Sequence, residues 1–124
     1  MAVSASGLFV PTFLDILDAT QLAVNTGSDT FKCGMITNSA TPDFDTHDEW
    51  ADLSGNEVSG TGYTAGGAAL TSVTLTGSSG TITFDAADVS WTTSTISSAR
   101  AAVVYDDTLT GDKLGALVDF GADY

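Results

Sequence analysis

Basic side chains are nearly missing from this chain: Lys32, Arg100 and Lys113 stand against 16 Asp and Glu, for a formal net charge of −13. Three cations cannot build the basic stripe that releases counterions from a duplex, and a field of that sign repels phosphate, so no nucleic-acid binding is expected. The same field repels anionic lipid. Long apolar runs are also missing. None approaches the roughly 20 residues that cross a bilayer, so a soluble chain with no membrane partner is expected. The opening MAVSASGLFV has neither the basic region nor the long apolar core of a secretion signal, which predicts synthesis and retention in a cytoplasm until release.

Cysteine and histidine occur once each, as Cys33 and His47. A single thiol excludes an internal disulfide, and its place in an apolar alternation marks it as buried and inert. Any Ser-His-Asp or Cys-His device would have to use His47, and zinc would need Cys33 and carboxylates to complete its shell. No nucleophile motif accompanies either residue. The expectation is a non-enzyme with no catalytic residue and no cofactor.

What is present is small and β-prone. The 124 residues leave room for one domain, and 43% hydrophobic residues can supply its core. Charged residues make up only 15%, against about a quarter in an average soluble domain, while 13 glycines accompany many Ser, Thr and Ala. Residues 1–10 read as a flexible or docking arm, and 11–124 as a single β-rich domain.

Pro11 stands where a helix can begin, and Phe13, Leu14, Ile16 and Leu17 follow at helical spacing. Asp15 and Asp18 are placed near its start, where the helix dipole favours acids. Asn25 to Asp29 reads as a turn and Thr30 to Thr37 as a strand, with Phe31, Cys33 and Met35 on its core face. Pro42 blocks continuation. Thr46-His47-Asp48-Glu49 has capping-box spacing, which predicts a helical turn through Trp50 and Leu53. Glu57 to Thr64 reads as an extended segment with a bulge. Val73 and Leu75, then Ile82 and Phe84, alternate with Thr around Gly77-Ser78-Ser79-Gly80, a clear hairpin. Trp91 and Ile96 bracket a Thr/Ser-rich strand or edge, and Arg100 to Tyr105 and Leu114 to Phe120 complete the set. The fold class is mainly β: an antiparallel β-sandwich or barrel of about six to eight short strands with one short N-terminal helix.

Possible ligands gather only in Asp43-Phe44-Asp45-Thr46-His47-Asp48-Glu49. An EF-hand would need glycine sixth and glutamate twelfth, where Asp48 and Ser54 stand, so that reading fails. Asp43 and Asp45 remain the calcium candidates, against a solvated loop capped by Thr46 and Glu49. Asp106-Asp107 suggests the acid and base of a polysaccharide hydrolase, but adjacent strand residues point to opposite faces, and a turn is the simpler reading. Gly60-Thr61-Gly62-Tyr63-Thr64-Ala65-Gly66 lacks both the GK[ST] ending and the spacing of a dinucleotide loop. Its glycines read as turn or bulge positions.

Four blocks in order, Asn56-Glu57-Val58-Ser59-Gly60-Thr61-Gly62-Tyr63-Thr64-Ala65-Gly66-Gly67, Phe84-Asp85-Ala86-Ala87-Asp88-Val89-Ser90-Trp91, Ala102-Val103-Val104-Tyr105-Asp106-Asp107 and Val118-Asp119-Phe120-Gly121, carry a resemblance. Together they resemble a family of small virion structural proteins of tailed bacteriophages, found among head or tail components. The match runs from about Thr30 to Gly121. Relatives carry a longer segment past the Asp-Phe-Gly block. The resemblance implies a particle protein without catalytic residues, made in the bacterial host cytoplasm. Charge refines the expectation, because packaged DNA repels so acidic a chain from the inner wall of a head. That points to an outer capsid decoration, or cement, protein that binds the major capsid protein and copies of itself as a homotrimer. Leu8, Phe9 and Phe13 are the docking candidates. A tail, neck or host-surface-binding component is the alternative.

Overall fold

The computed structural model describes residues 2–18 and 22–124. In chain order its elements are β1 (Gly7–Leu8), α1 (Val10–Leu17), β2 (Phe31–Thr37), α2 (Ala51–Ser54), β3 (Ala68–Ala69), β4 (Thr74–Ser78), β5 (Thr81–Asp85), β6 (Ala99–Asp106) and β7 (Lys113–Asp119). Five strands form an antiparallel sheet in the order β1-β7-β6-β2-β3, and β4 and β5 form a separate two-stranded ribbon. The fold is therefore mainly β with one short N-terminal helix. The large sheet is open, and both of its edges are two-residue strands. Edges so short offer little template for stray pairing.

Strand alternation decides which face carries the core. Ala101, Val103 and Tyr105 of β6 lie opposite Ile36, Gly34 and Lys32 of β2. On the other side Val103 pairs with Leu117 and, after a bulge, Tyr105 with Leu114. These residues, Lys32 and Gly34 excepted, join Val3, Phe9, Ala40, Trp50 and Leu53 in the main buried cluster. Gly34 makes the arrangement possible. With no Cβ there, the Trp50 ring lies against the strand, and a methyl group at that position would stand 2.7 Å from Trp50 Cη2. Trp50 then stacks on Tyr105 with ring centroids 4.8 Å apart and planes 7° from parallel. The Tyr105 hydroxyl donates to the Gly66 carbonyl at 2.6 Å, which ties the glycine-rich loop to the core. Gly67 completes that approach at φ +77°, with its backbone too close to the Cys33 carbonyl for any side chain.

The face expected to be core, Phe31, Cys33 and Met35, carries the smaller share. Phe31 and Met35 are buried and Cys33 is half-buried. Met35 packs with Val58 and Ala99 under Tyr63, Trp91 and Ile96.

Local chemistry departs from expectation in several places. Helix α1 begins at Val10, with Pro11 in its first turn and no acid there, so Asp15 and Asp18 fall at its C-terminal end. The dipole does not favour them at that end. The helical turn at α2 forms without a side-chain cap; Asp52, inside it, reaches back, and its Oδ2 accepts from the N–H groups of Asp48 and Glu49, both at 3.1 Å. Glu49 is engaged with Lys113 and leaves the Thr46 box unused. Glu57 makes only an isolated bridge to Ile36, and residues 90–98 contain no strand. Strands β1 and β3 escape sequence reading because two residues carry no alternation. The hairpin is tighter than expected, closing through Ser79 (φ 51°) and Gly80 (φ 78°). Two positive φ values describe a type I′ turn, whose twist suits a hairpin.

Substituting Gly34→Ala should push Trp50 off Tyr105. We expect a loss of about 1–3 kcal/mol, the usual range for overpacking. A lower urea midpoint with a weakened near-ultraviolet circular dichroism band would register it, and an unchanged midpoint would show that Trp50 is not held there.

Candidate docking surfaces and acidic sites

Of the arm expected over 1–10, residue 1 lies outside the described residues. Several of the others are tied to the sheet. Val3 is buried, β1 pairs with β7, and Ser6 Oγ accepts from the Asp119 N–H at 2.7 Å. Alternation along this segment separates two of the docking candidates. Leu8 points to solvent, whereas Phe9 is wholly enclosed, with its ring 5.1 Å from that of Phe44. Phe9 is thus a core anchor and not a docking residue.

That anchor sets the rotation of α1. The Phe9 N–H donates to the Gly115 carbonyl at 3.1 Å and the Val10 N–H to the Phe44 carbonyl at 2.8 Å, so the helix leaves the sheet in a fixed orientation. Its apolar stripe, at i, i+3, i+4 and i+7, faces outward: Val10 is 40% exposed, Phe13 38%, Leu14 58% and Leu17 84%. Inward lies Thr12, buried, with a hydroxyl that has no hydrogen-bond partner. Ordinary amphipathic packing is reversed here. Four apolar anchors at this spacing are what a partner's groove reads on a short helix.

The ribbon β4–β5 also exposes an apolar face. Leu75 pairs with Phe84 and Ile82 with Gly77, so all three large side chains share one side while threonines line the other. Its base is held by an edge contact between Phe84 and Phe31 at 5.4 Å and by the Ala87 N–H on the Thr71 carbonyl at 2.8 Å.

A third feature is an open groove of about 610 Å³ lined by Met35, Trp91, Ile96, Phe120 and Tyr124 together with small residues, none of them charged. Its walls are braced. The Tyr63 ring lies 5.6 Å from Trp91, and the Tyr63 hydroxyl accepts from the Met35 N–H at 3.0 Å and donates to Glu57 at 2.7 Å. Burial, then the Glu57 carboxylate, pushes the Tyr63 pKa up. Ala99 and Tyr124 exchange two backbone hydrogen bonds, at 2.8 and 2.9 Å, which hold Tyr124 beside Phe120. Sequence reading missed this groove because its residues come from distant parts of the chain. Trp91 and Ile96, an apolar pair in a Ser/Thr run, were its only local signal.

All three cations are engaged internally. Lys32 meets Asp107 at 3.0 Å, Arg100 meets Asp119 at 2.8 Å and Asp123 at 3.7 Å, and Lys113 meets Asp48 at 2.7 Å and Glu49 at 3.0 Å. Burial works against the Lys113 ammonium, but the two carboxylates outweigh it and raise its pKa. Asp119 is held below the usual carboxylate range by the Gly121 N–H and then by Arg100.

The loop from Asp43 to Glu49 closes on itself. Asp43 Oδ1 accepts from the Asp45 N–H at 3.0 Å, and His47 Nδ1 accepts from the Asp43 N–H at 3.3 Å. The hydrogen bond from Asp45 chiefly lowers the Asp43 pKa. Among the described residues, no three His, Cys, Asp or Glu side chains converge to hold a metal ion. The calcium candidates Asp43 and Asp45 are joined by this turn. Cys33 lies away from His47's loop, on β2, with its thiol pKa raised by burial.

Asp106 and Asp107 part as alternation requires. Asp107 turns to Lys32, whereas Asp106 is buried, with Oδ1 accepting from the Thr108 N–H at 2.9 Å and Oδ2 lacking a donor. Burial raises the Asp106 pKa, and the neighbouring Asp29 carboxylate adds to the rise. The two adjacent acids do not share a groove in the way a hydrolase's acid and base would. Among the described residues, no helix is long and apolar enough to cross a membrane. Comparison with known protein families, curated proteins and solved structures finds no match for this chain.

Because the folded-state pKa of Asp106 is raised, the native protein binds a proton more tightly than the unfolded chain does. This group therefore adds stability as pH falls from neutral towards the ordinary carboxylate range, and that gain disappears as pH rises through the folded pKa. Asp43 and Asp119, with lowered pKa values, act oppositely and lose their contribution only in stronger acid. Asp106→Asn keeps an acceptor for Thr108 and offers Asp29 a donor. The variant should be at least as stable as the parent at pH 7 and should lack the gain between pH 7 and 5. Urea titrations across that range will reveal a loss at both pH values if Asp106 instead serves as a needed anion.

Proposed function

We propose that this chain is a structural assembly module of a tailed-bacteriophage particle, an outer capsid decoration protein that binds the major capsid lattice. Two lines support the reading. Ordered sequence blocks from Asn56 to Gly121 resemble small virion proteins and supply the phage context. The outward apolar stripe of α1 carries the assembly half: a folded domain that buries a threonine and exposes Phe13, Leu14 and Leu17 has a surface fitted to a protein partner.

Charge supports the outward placement. With net charge −13 and every cation already paired, the domain offers nothing to DNA or to an anionic inner wall. An exterior site on the shell avoids that repulsion. The second reading, a tail, neck or host-surface component, draws on the projecting ribbon, whose uncharged apolar face suits insertion between neighbouring subunits.

Electron cryomicroscopy of the intact particle, with this density identified, tests the proposal. Hundreds of copies on the outer shell are expected. A few or tens of copies at the neck or tail would support the second reading, and density lining the inside of a DNA-filled head would overturn the charge argument. In the same particles, Leu17→Asp should reduce occupancy at least tenfold while leaving the free protein's urea midpoint unchanged, because Leu17 is already mostly in water.

A further inference from the structure

The chain holds both halves of a helix-in-groove contact, and its own two halves are kept apart. Helix α1 follows Phe9, which is fixed on Gly115 near the start of β7, while Phe120 and Tyr124 of the groove lie past its end. A strand of this length spans about 20 Å. From this separation and from the apolar character of both surfaces, we infer that the outward face of α1 on one copy seats in the aromatic groove of a second copy.

The size of the parts fits. Eight helical residues extend about 12 Å and present four anchors on one side. The groove, at about 610 Å³, is of a size that admits a few large apolar side chains.

Charge selects the occupant. Two copies of net charge −13 repel each other over most of their surfaces, and Lys32, Arg100 and Lys113 are each already engaged within their own copy. They can approach only where charge is absent. Residues 1–14 and 89–99 contain no Asp, Glu, Lys, Arg or His, and these stretches supply three of the four helix anchors and most of the groove's loop wall. A basic partner would favour the acidic surface instead. The contact is head-to-tail, so a pair retains one free groove on the first copy and one free helix on the second. Successive contacts then close into a ring or run on as a filament.

One short helix buries far less than the roughly 800 Å² per side of a stable pair, so a single contact in free solution is weak. Closure of a ring, or attachment of neighbours to one lattice, multiplies it through effective concentration. The inference rests on the assembly reading above and supplies a contact between copies.

Sedimentation velocity of the full chain tests it, across rising protein concentration and from low to high sodium chloride. Association should increase with both, since salt screens the like-charge repulsion and leaves an apolar contact intact. Leu17→Asp removes the helix anchor and Tyr124→Asp places charge at the groove; each alone should weaken association at least tenfold with an unchanged urea midpoint. Mixed in equal amounts, they should form a dimer that grows no further, because one supplies the intact groove and the other the intact helix. Ile82→Asp, on the ribbon, should associate like the parent. A parent chain that stays monomeric throughout would overturn the inference, as would Leu17→Asp associating normally, or a mixture with no more dimer than either variant alone at concentrations where the parent forms its first contact. Self-association in a protein missing from particles would sink the functional reading and keep the contact; particle incorporation by a chain that never self-associates would do the reverse.

Discussion

The contact of Trp50 with Gly34 and Tyr105 is the constraint on which the remaining structure depends. Trp50 comes from the polar middle of the chain and reaches the sheet only because β2 has no side chain at Gly34. Once there, it stacks on Tyr105, whose hydroxyl holds the glycine-rich loop through Gly66. The Trp50 backbone N–H also donates to the Asp112 carbonyl at 2.9 Å, so the same residue anchors the turn between β6 and β7. Sheet and turn thus meet at one residue, the sheet at its ring and the turn at its backbone, and the loop joins them through Tyr105. A buried aromatic pair of this kind contributes about 0.5–1.5 kcal/mol beyond the area it removes from water.

Electrostatics acts at the opposite end of the scale, on what may approach the molecule and not on how it folds. Each cation is spent on a local tie: Lys32 joins β2 to Asp107, Arg100 clasps the segment after β7, and Lys113 holds the acidic loop against the sheet. Such partly exposed pairs each add little stability. Their consequence is a surface with acids in excess and no positive counterpart, interrupted by uncharged apolar stretches. Such a surface repels a chain of the same sign except where charge is absent.

Much of the fold was legible along the chain. The strands at 31–37, 99–106 and 113–119, the hairpin at 74–85 and the helix after Pro11 all follow from period and turn chemistry. Short-range patterns failed where pairing is nonlocal or very short. Strands β1 and β3 have two residues each, and Glu57 to Thr64, though rich in β-formers, finds only one bridge. The Thr46 capping box was undone by a competing partner, since Lys113, far away in sequence, takes Glu49, while Asp52 takes the N–H groups of Asp48 and Glu49 and α2 has no side-chain cap. The docking candidates divided for a geometric reason: Leu8 and Phe9 alternate on one extended segment, so only one can face water.

By itself the sequence determined the class of protein: acidic and mainly β, with one cysteine, one histidine and three basic side chains. These properties are sums over residues or short periods, and they do not depend on which segments meet. Only tertiary structure decided the direction in which α1 presents its stripe. An apolar spacing of three and four residues specifies a face but not whether that face meets the core. Here Phe9, locked into the core one residue before the helix, turns Thr12 inward and the stripe to solvent. The aromatic groove has the same origin, because Met35, Trp91 and Tyr124 become neighbours only when β2, the 89–96 loop and the residues beyond β7 are brought together by the sheet.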